Sequence, residues 1–152
     1  ITRAFGPEII AIHPGSGSPS KNWPLDKFIA LSRIISSRTK LKPVFFLGEA
    51  DSRIATELKT DRSSTPVISG YSLVEVASIL SACRGYIGND SGITHLAASI
   101  GIPVVAIYGP TDPAIWAPRG TNTKVVSCWD EKGLASIPPE QVFEEMLRLA
   151  PV

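Results

Sequence analysis

Residues Tyr86 to Pro118, YIGNDSGITHLAASIGIPVVAIYGPTDPAIWAP, leave the chain little choice of fold. Tyr86-Ile87 runs into the polar loop Asn89-Asp90-Ser91-Gly92. A segment of helical period follows, with His95 one turn in. A continuous apolar run, Val104 to Tyr108, then ends in a second polar loop, Gly109-Pro110-Thr111-Asp112-Pro113. Strands without polar alternation are covered on both faces, as in a parallel sheet. Polar loops at the carboxyl ends of neighbouring strands in such a sheet lie where ligands bind.

The rest of the chain repeats this pattern. Ile9 to Ile12 reads as a first strand, and HPGSGSPSKNWP after it as a turn-rich loop. Pro24 is expected at the first position of a helix carrying Leu25, Phe28, Ile29, Leu31 and Ile35 on one face. Val44 to Leu47 predicts the second strand, closed by Gly48-Glu49, and Ile54, Ala55 and Leu58 the second helix. Pro66 to Ile68 predicts a third strand, and Leu73 to Ala82 a third helix. Val125-Val126 predicts a brief sixth strand, and Pro138 opens a last helix bearing Val142, Phe143, Met146 and Leu149. Strands alternating with helices imply an α/β fold, a Rossmann-like, three-layer, doubly wound parallel sheet. Right-handed crossovers leave few windings, and the expected strand order is 3-2-1-4-5-6. The loops after strands 1 and 4 then face each other across the switch point.

The 152 residues suffice for one domain with a core. Fifteen basic and fourteen acidic residues leave a net charge of +1, which gives no electrostatic basis for a nucleic-acid partner. No apolar run approaches the roughly 18 residues of a transmembrane segment. Cys83 and Cys128 share no metal or redox spacing and read as free thiols.

Four constellations could carry chemistry. Gly15-Ser16-Gly17-Ser18 with Lys21 offers close backbone amides, hydroxyls and a point charge for a phosphate, or else is an ordinary exposed loop. It satisfies neither the dinucleotide fingerprint nor the P-loop, because Ser20 and Asn22 flank Lys21. Asp90-Ser91-Gly92-Ile93-Thr94-His95 offers a helix N-terminus as an anion site if Asp90 or Ser91 caps it, or is simply a well-capped helix. Glu49, at the end of strand 2, stands where an acid often takes ribose hydroxyls, or is a solvated surface residue. Gly109 to Pro113 with Trp116 suits a rigid contact surface, or is a stiff turn before a short helix. His13, at a strand end before Pro14, reads as structural. No His or Cys cluster has metal spacing, and no Asp-x-Asp pair is present to hold a metal on a diphosphate.

HPGS-x(4)-K-x-WP, then GE, then NDSGITHLAA-x-x-GIPVVAIYGPTDP-x-x-W-x-P resembles the C-terminal half of the family 9 glycosyltransferases, the lipopolysaccharide heptosyltransferases. The resemblance runs from about Ile9 to Trp116. It implies the GT-B fold, two Rossmann-like domains across a cleft, with this chain as the donor domain over residues 9-152. Residues 1-8 would be a linker from a missing N-terminal domain, which would hold the acceptor and the catalytic base. No catalytic residue is therefore assigned here. Carried over by motif, Ser16 and Lys21 would meet the donor diphosphate or sugar, and Glu49 the ribose. Asp90 would hold sugar hydroxyls, and Ser91, Gly92 and His95 would meet the diphosphate or sugar.

The resemblance implies inverting, metal-independent transfer of a sugar, heptose in the characterised members, from ADP to a lipopolysaccharide core acceptor, without cofactors. The partners would be a nucleotide-sugar donor (ADP-heptose) and a saccharide acceptor. The location would be cytoplasmic, with the bacterial parent peripheral at the inner face of the inner membrane. The fragment alone would transfer little or nothing. Two other readings remain open at this stage. One is a non-catalytic nucleotide-binding module, and the other is half of a GT-B sugar-nucleotide epimerase.

Overall fold

A computed structural model describes residues 6–61, 64–129, 131 and 133–151. Six parallel strands form one sheet: β1 (Ile9–His13), β2 (Lys42–Leu47), β3 (Val67–Ser69), β4 (Gly85–Asn89), β5 (Val104–Tyr108) and β6 (Thr123–Ser127). Their order is β3-β2-β1-β4-β5-β6, as the alternation of elements implied. Between them run α1 (Leu25–Arg38), α2 (Ser52–Thr60), α3 (Leu73–Ala82), α4 (Gly92–Ile100) and the single-turn α5 (Pro113–Trp116), and α6 (Pro139–Leu149) closes the chain.

Alternate strand residues feed two separate cores. Ile10, Ile12, Phe45, Leu47, Ile87, Val105 and Ile107 pack with Phe28, Leu31, Leu58, Val142, Phe143 and Met146 from α1, α2 and α6. Ile9, Ala11, Val44, Phe46, Tyr86, Val104, Ala106 and Tyr108 pack with Ile79, Leu80, Ala97 and Ala98 from α3 and α4. Side chains on a strand alternate faces, so a continuous apolar run serves both layers at once. The T-shaped pair of Trp23 and Phe28, with centroids 4.8 Å apart, ties the end of the first loop into the α1 side.

Several boundaries differ from the sequence expectation. Pro24 caps α1 from outside and does not open it, because its ψ of 135° is extended. The last helix likewise starts at Pro139, with Pro138 as its cap at ψ 146°. Strand β4 continues through Gly88 and Asn89, since pairing with β1 and β5 holds those residues extended whatever their propensity. A Cβ at Gly88 would lie 2.8 Å from Tyr86 Cζ, so only glycine fits beside that buried ring. Residues 1–5 of the expected linker lie outside the described residues, and Ile9 N–H already bonds to Gly6 O. Among the described residues, no helix is long and apolar enough to cross a membrane.

Candidate functional site

Pairing of β1 with β4 sets their carboxyl-terminal loops side by side, at the point where strand order reverses. Asn89 fastens them together. Its side chain is fully buried; its Oδ1 accepts Trp23 N–H at 2.9 Å and its Nδ2 donates to Pro14 O at 2.8 Å. One carboxamide thus brackets the first loop near both ends. Within that loop, Ser16 Oγ lies 2.6 Å from both Ser18 O and Asn22 Oδ1 and accepts Ser18 N–H at 3.2 Å. The Ser16 hydroxyl is thus engaged in shaping its own loop.

Lys21, from the short 3-10 turn Pro19–Lys21, reaches across the switch point to Asp90 Oδ2 at 2.7 Å. Thr111, from the loop after β5, donates to the same oxygen at 2.7 Å. Burial raises the Asp90 carboxyl, but the hydrogen bonds from Lys21 and Thr111 outweigh it and hold the group below the usual carboxylate range. Tyr108 gives its single proton to Trp116 O at 2.9 Å, so Asp90 relies on the other two donors. Burial first, then the neighbouring Asp90 charge, pushes the Tyr108 phenol up and keeps it neutral.

Ser91 is the cap of α4, accepting Thr94 N–H at 3.4 Å. Thr94 donates its hydroxyl to Asn89 O, so the buried Tyr86 hydroxyl, 3.0 Å from Thr94 Oγ1, is the donor to it. This chain fixes the first turn of α4 to the end of β4. Gly92 and Ile93 occupy the first turn, where main-chain N–H groups have no intrahelical acceptor and the helix dipole adds partial positive charge.

These elements enclose an open crevice of about 360 Å³, lined by Ser16 and Gly17, Gly48 to Asp51, and Ser91 to Ile93, with His13, Leu73 and Leu96. Small-molecule sites span a comparable range, roughly 300–1,000 Å³. A small apolar annex of about 100 Å³ shares His13, Gly48, Leu73 and Ile93 and adds Phe46, Leu47, Ile68, Tyr71 and Val76. His13 Nδ1 sits 2.8 Å from Phe46 O. A carbonyl only accepts, so Nδ1 carries the proton and the ring is held in place, in keeping with a structural residue. Asp51 is the buried carboxylate of the crevice wall. Its Oδ2 accepts Gly48 N–H at 2.8 Å, and a Cβ on Gly15 would fall 2.5 Å from its Cγ. Gly15 is therefore glycine because β1's loop passes directly against Asp51.

Of the residues singled out from sequence, Ser16, Glu49, Ser91 and Gly92 line the crevice. Lys21 and Asp90 pair with each other beside it. Glu49 is exposed and makes no hydrogen bond or ion pair among the described residues, so its carboxylate is open to a ligand hydroxyl. His95 lies one turn further along α4, exposed and outside the crevice lining. Sequence reasoning placed Asn89 and Thr111 in polar loops but gave neither a role of its own, and it passed over Asp51. Asp51 lies two residues past Glu49, and its contacts with Gly15, Gly48 and His13 mark it. Among the described residues, no three His, Cys, Asp or Glu side chains converge to hold a metal.

The profile of glycosyltransferase family 9 (heptosyltransferase) matches residues 2–146. The chain belongs to glycosyltransferase family 9. Lipopolysaccharide heptosyltransferase 2 of Salmonella typhimurium is 27% identical over 158 residues, covering 91% of this chain and 45% of the relative. The family 9 glycosyltransferase of Veillonella parvula superposes with a TM-score of 0.84 at 28% identity, over 99% of this chain and 47% of that one. The Escherichia coli ADP-heptose lipopolysaccharide heptosyltransferase II superposes with a TM-score of 0.80 at 27% identity, over 95% of this chain and 46% of that one. The family 9 chain described here thus spans about half the length of the relatives it matches. Its six-stranded sheet is the Rossmann-like fold of its GT-B neighbours, and the relatives it matches are glycosyltransferases.

Proposed function

We propose that residues 9–152 are the donor-binding domain of an inverting, metal-independent heptosyltransferase, and that the donor is an ADP-linked sugar. The observation that carries this is the convergence of the Ser16-Gly17 loop, Glu49 and the α4 N-terminus on one crevice at the carboxyl ends of β1, β2 and β4. The name of the Escherichia coli relative, an ADP-heptose enzyme, supports the choice of donor.

The chemistry of the walls orders the ligand. The apolar annex between Phe46, Ile68, Tyr71 and Val76 suits the flat face of a base. Glu49 accepts ribose hydroxyls as a charged acceptor. The diphosphate takes the amides of Gly92 and Ile93. Lys21 spends one of its three protons on Asp90 and keeps the others for phosphate oxygens. When an acceptor hydroxyl attacks the anomeric carbon, the C–O bond to the diphosphate breaks and charge accumulates on the departing oxygens. Amides and an ammonium already in place stabilise that charge without reorganising. The acceptor, a lipopolysaccharide core saccharide, and the general base that takes its proton belong to the remainder of the protein.

Calorimetry with ADP, UDP, GDP and their sugars against this chain tests the proposal. Binding of the ADP series in preference to the others is the expected result. Preference for another base, or no binding by any of them, overturns it.

A further inference from the structure

Asp90 Oδ2 receives two donors, Lys21 Nζ and Thr111 Oγ1, each at 2.7 Å. The Tyr108 hydroxyl also neighbours this carboxyl, but its one proton goes to Trp116 O, so no hydrogen bond to Oδ1 is made among the described residues. Among those residues, the buried side-chain nitrogen and oxygen atoms without a partner are Arg84 Nε and Thr123 Oγ1, so Oδ1 keeps contact with solvent. The Asp90 side chain is otherwise 9% exposed. The carboxylate therefore has one oxygen saturated by protein and one left for an outside donor. Lys21 alone would not fix this division, because an ammonium on a flexible stem can swing to either oxygen or to a phosphate. Thr111 is on a short side chain, in a loop stiffened by Pro110 and Pro113 and pinned by the Asp112 side chain accepting Ala114 N–H at 2.9 Å.

We propose that Thr111 is a positioning residue for the donor: it holds the Asp90 carboxylate with Oδ2 turned inward and Oδ1 presented to the hydroxyls of the transferred sugar. The β5 loop thereby contributes to sugar recognition through Asp90 while Lys21 turns its remaining protons toward the diphosphate. Where a donor phosphate draws on Lys21, Thr111 is the partner that stays on Oδ2 and keeps Asp90 from rotating. This inference rests on the donor-site reading given above.

The test compares Thr111→Val, which keeps the shape and removes the donor, with Thr111→Ser, which keeps the donor. Two measurements are made on each: calorimetric affinity for ADP and for ADP-heptose, and the titration of the Asp90 carboxyl by carbon-13 NMR, assigned with Asp90→Asn. Thr111→Val is expected to lose about tenfold or more in affinity for ADP-heptose and much less for ADP, with the Asp90 midpoint moving up. Thr111→Ser is expected to behave as the parent in both. Wild-type affinities and an unmoved Asp90 midpoint in Thr111→Val would overturn the proposal, and so would equal losses for ADP and ADP-heptose. Failure of the unsubstituted chain to bind either nucleotide is a different result, and it overturns the donor-site reading itself.

Discussion

The Asn89 carboxamide oxygen accepts the main-chain N–H of Trp23 at 2.9 Å, from 66 residues away in sequence. With the second bond from Asn89 Nδ2 to Pro14 O, it makes the end of β4 the anchor of the loop that shapes half the crevice. Asn89→Ala leaves a buried N–H and a buried C=O without partners, each costing about 1–3 kcal/mol. A loss of about 2–4 kcal/mol in urea unfolding is expected. A midpoint within experimental error of the parent would show that the loop does not depend on Asn89.

Gly15 and Gly17 sit two residues apart in the same loop and should respond oppositely to a methyl group. A Cβ at Gly15 would fall 2.5 Å from Asp51 Cγ, whereas one at Gly17 would meet nothing within 4 Å. Asp51 cannot yield freely, since its carboxylate holds Gly48 N–H. Gly15→Ala is expected to destabilise by about 1–3 kcal/mol through overpacking. Gly17→Ala should stay within about 0.5 kcal/mol. Paired thermal melts decide, and equal effects would contradict the packing described.

Acid stability should depend on Asp90. Its carboxyl titrates lower in the folded chain than in the unfolded one, because Lys21 and Thr111 donate to the ionised form. The unfolded chain therefore binds the proton first as pH falls. The stabilisation from Asp90 is present above the unfolded value of about 3.9 and is lost as pH falls through the lower folded value. Asp90→Asn removes the titration. Its stability is expected to be lower than the parent's at neutral pH, with the gap closing below about pH 4. Denaturation curves at a series of pH values check this, and a constant gap would exclude the linkage.

Lys21→Ala removes a charge-assisted bond that the proposed diphosphate would receive. ADP affinity is expected to fall by about 1.5–3 kcal/mol, roughly 10- to 150-fold in dissociation constant. An unchanged calorimetric affinity would remove Lys21 from the site.

The two thiols should react at different rates. Cys83 is buried and its thiol is pushed up to about 12 by desolvation. Cys128 is half-buried, with Ser136 Oγ 2.8 Å from its sulfur. Iodoacetamide at pH 8 is expected to label Cys128 in the folded chain and Cys83 only on unfolding, as read by peptide mass spectrometry. Comparable labelling of both would contradict the packing of α3 around Cys83.

The two loops and Glu49 were readable without coordinates because each follows an apolar run in a chain alternating at strand and helix periods. Such a chain has few windings, and the one it adopts puts those loops at the switch point. Ser91 could be placed at the head of α4 from its residue type and the helical pattern after it. Asp51, Asn89 and Thr111 were not readable in the same way. Their roles come from partners far off in sequence, in contacts that neither period nor propensity encodes: Gly15 against Asp51, Trp23 and Pro14 on Asn89, Asp90 for Thr111. His95 carried a motif, yet its place on α4 is exposed and outside the crevice lining. Local sequence thus determined which loops line the crevice, through burial and chain direction. Tertiary packing decided which atoms within those loops are already bonded to protein and which stay open to a ligand, because hydrogen-bond satisfaction in a buried crevice depends on every segment that closes it.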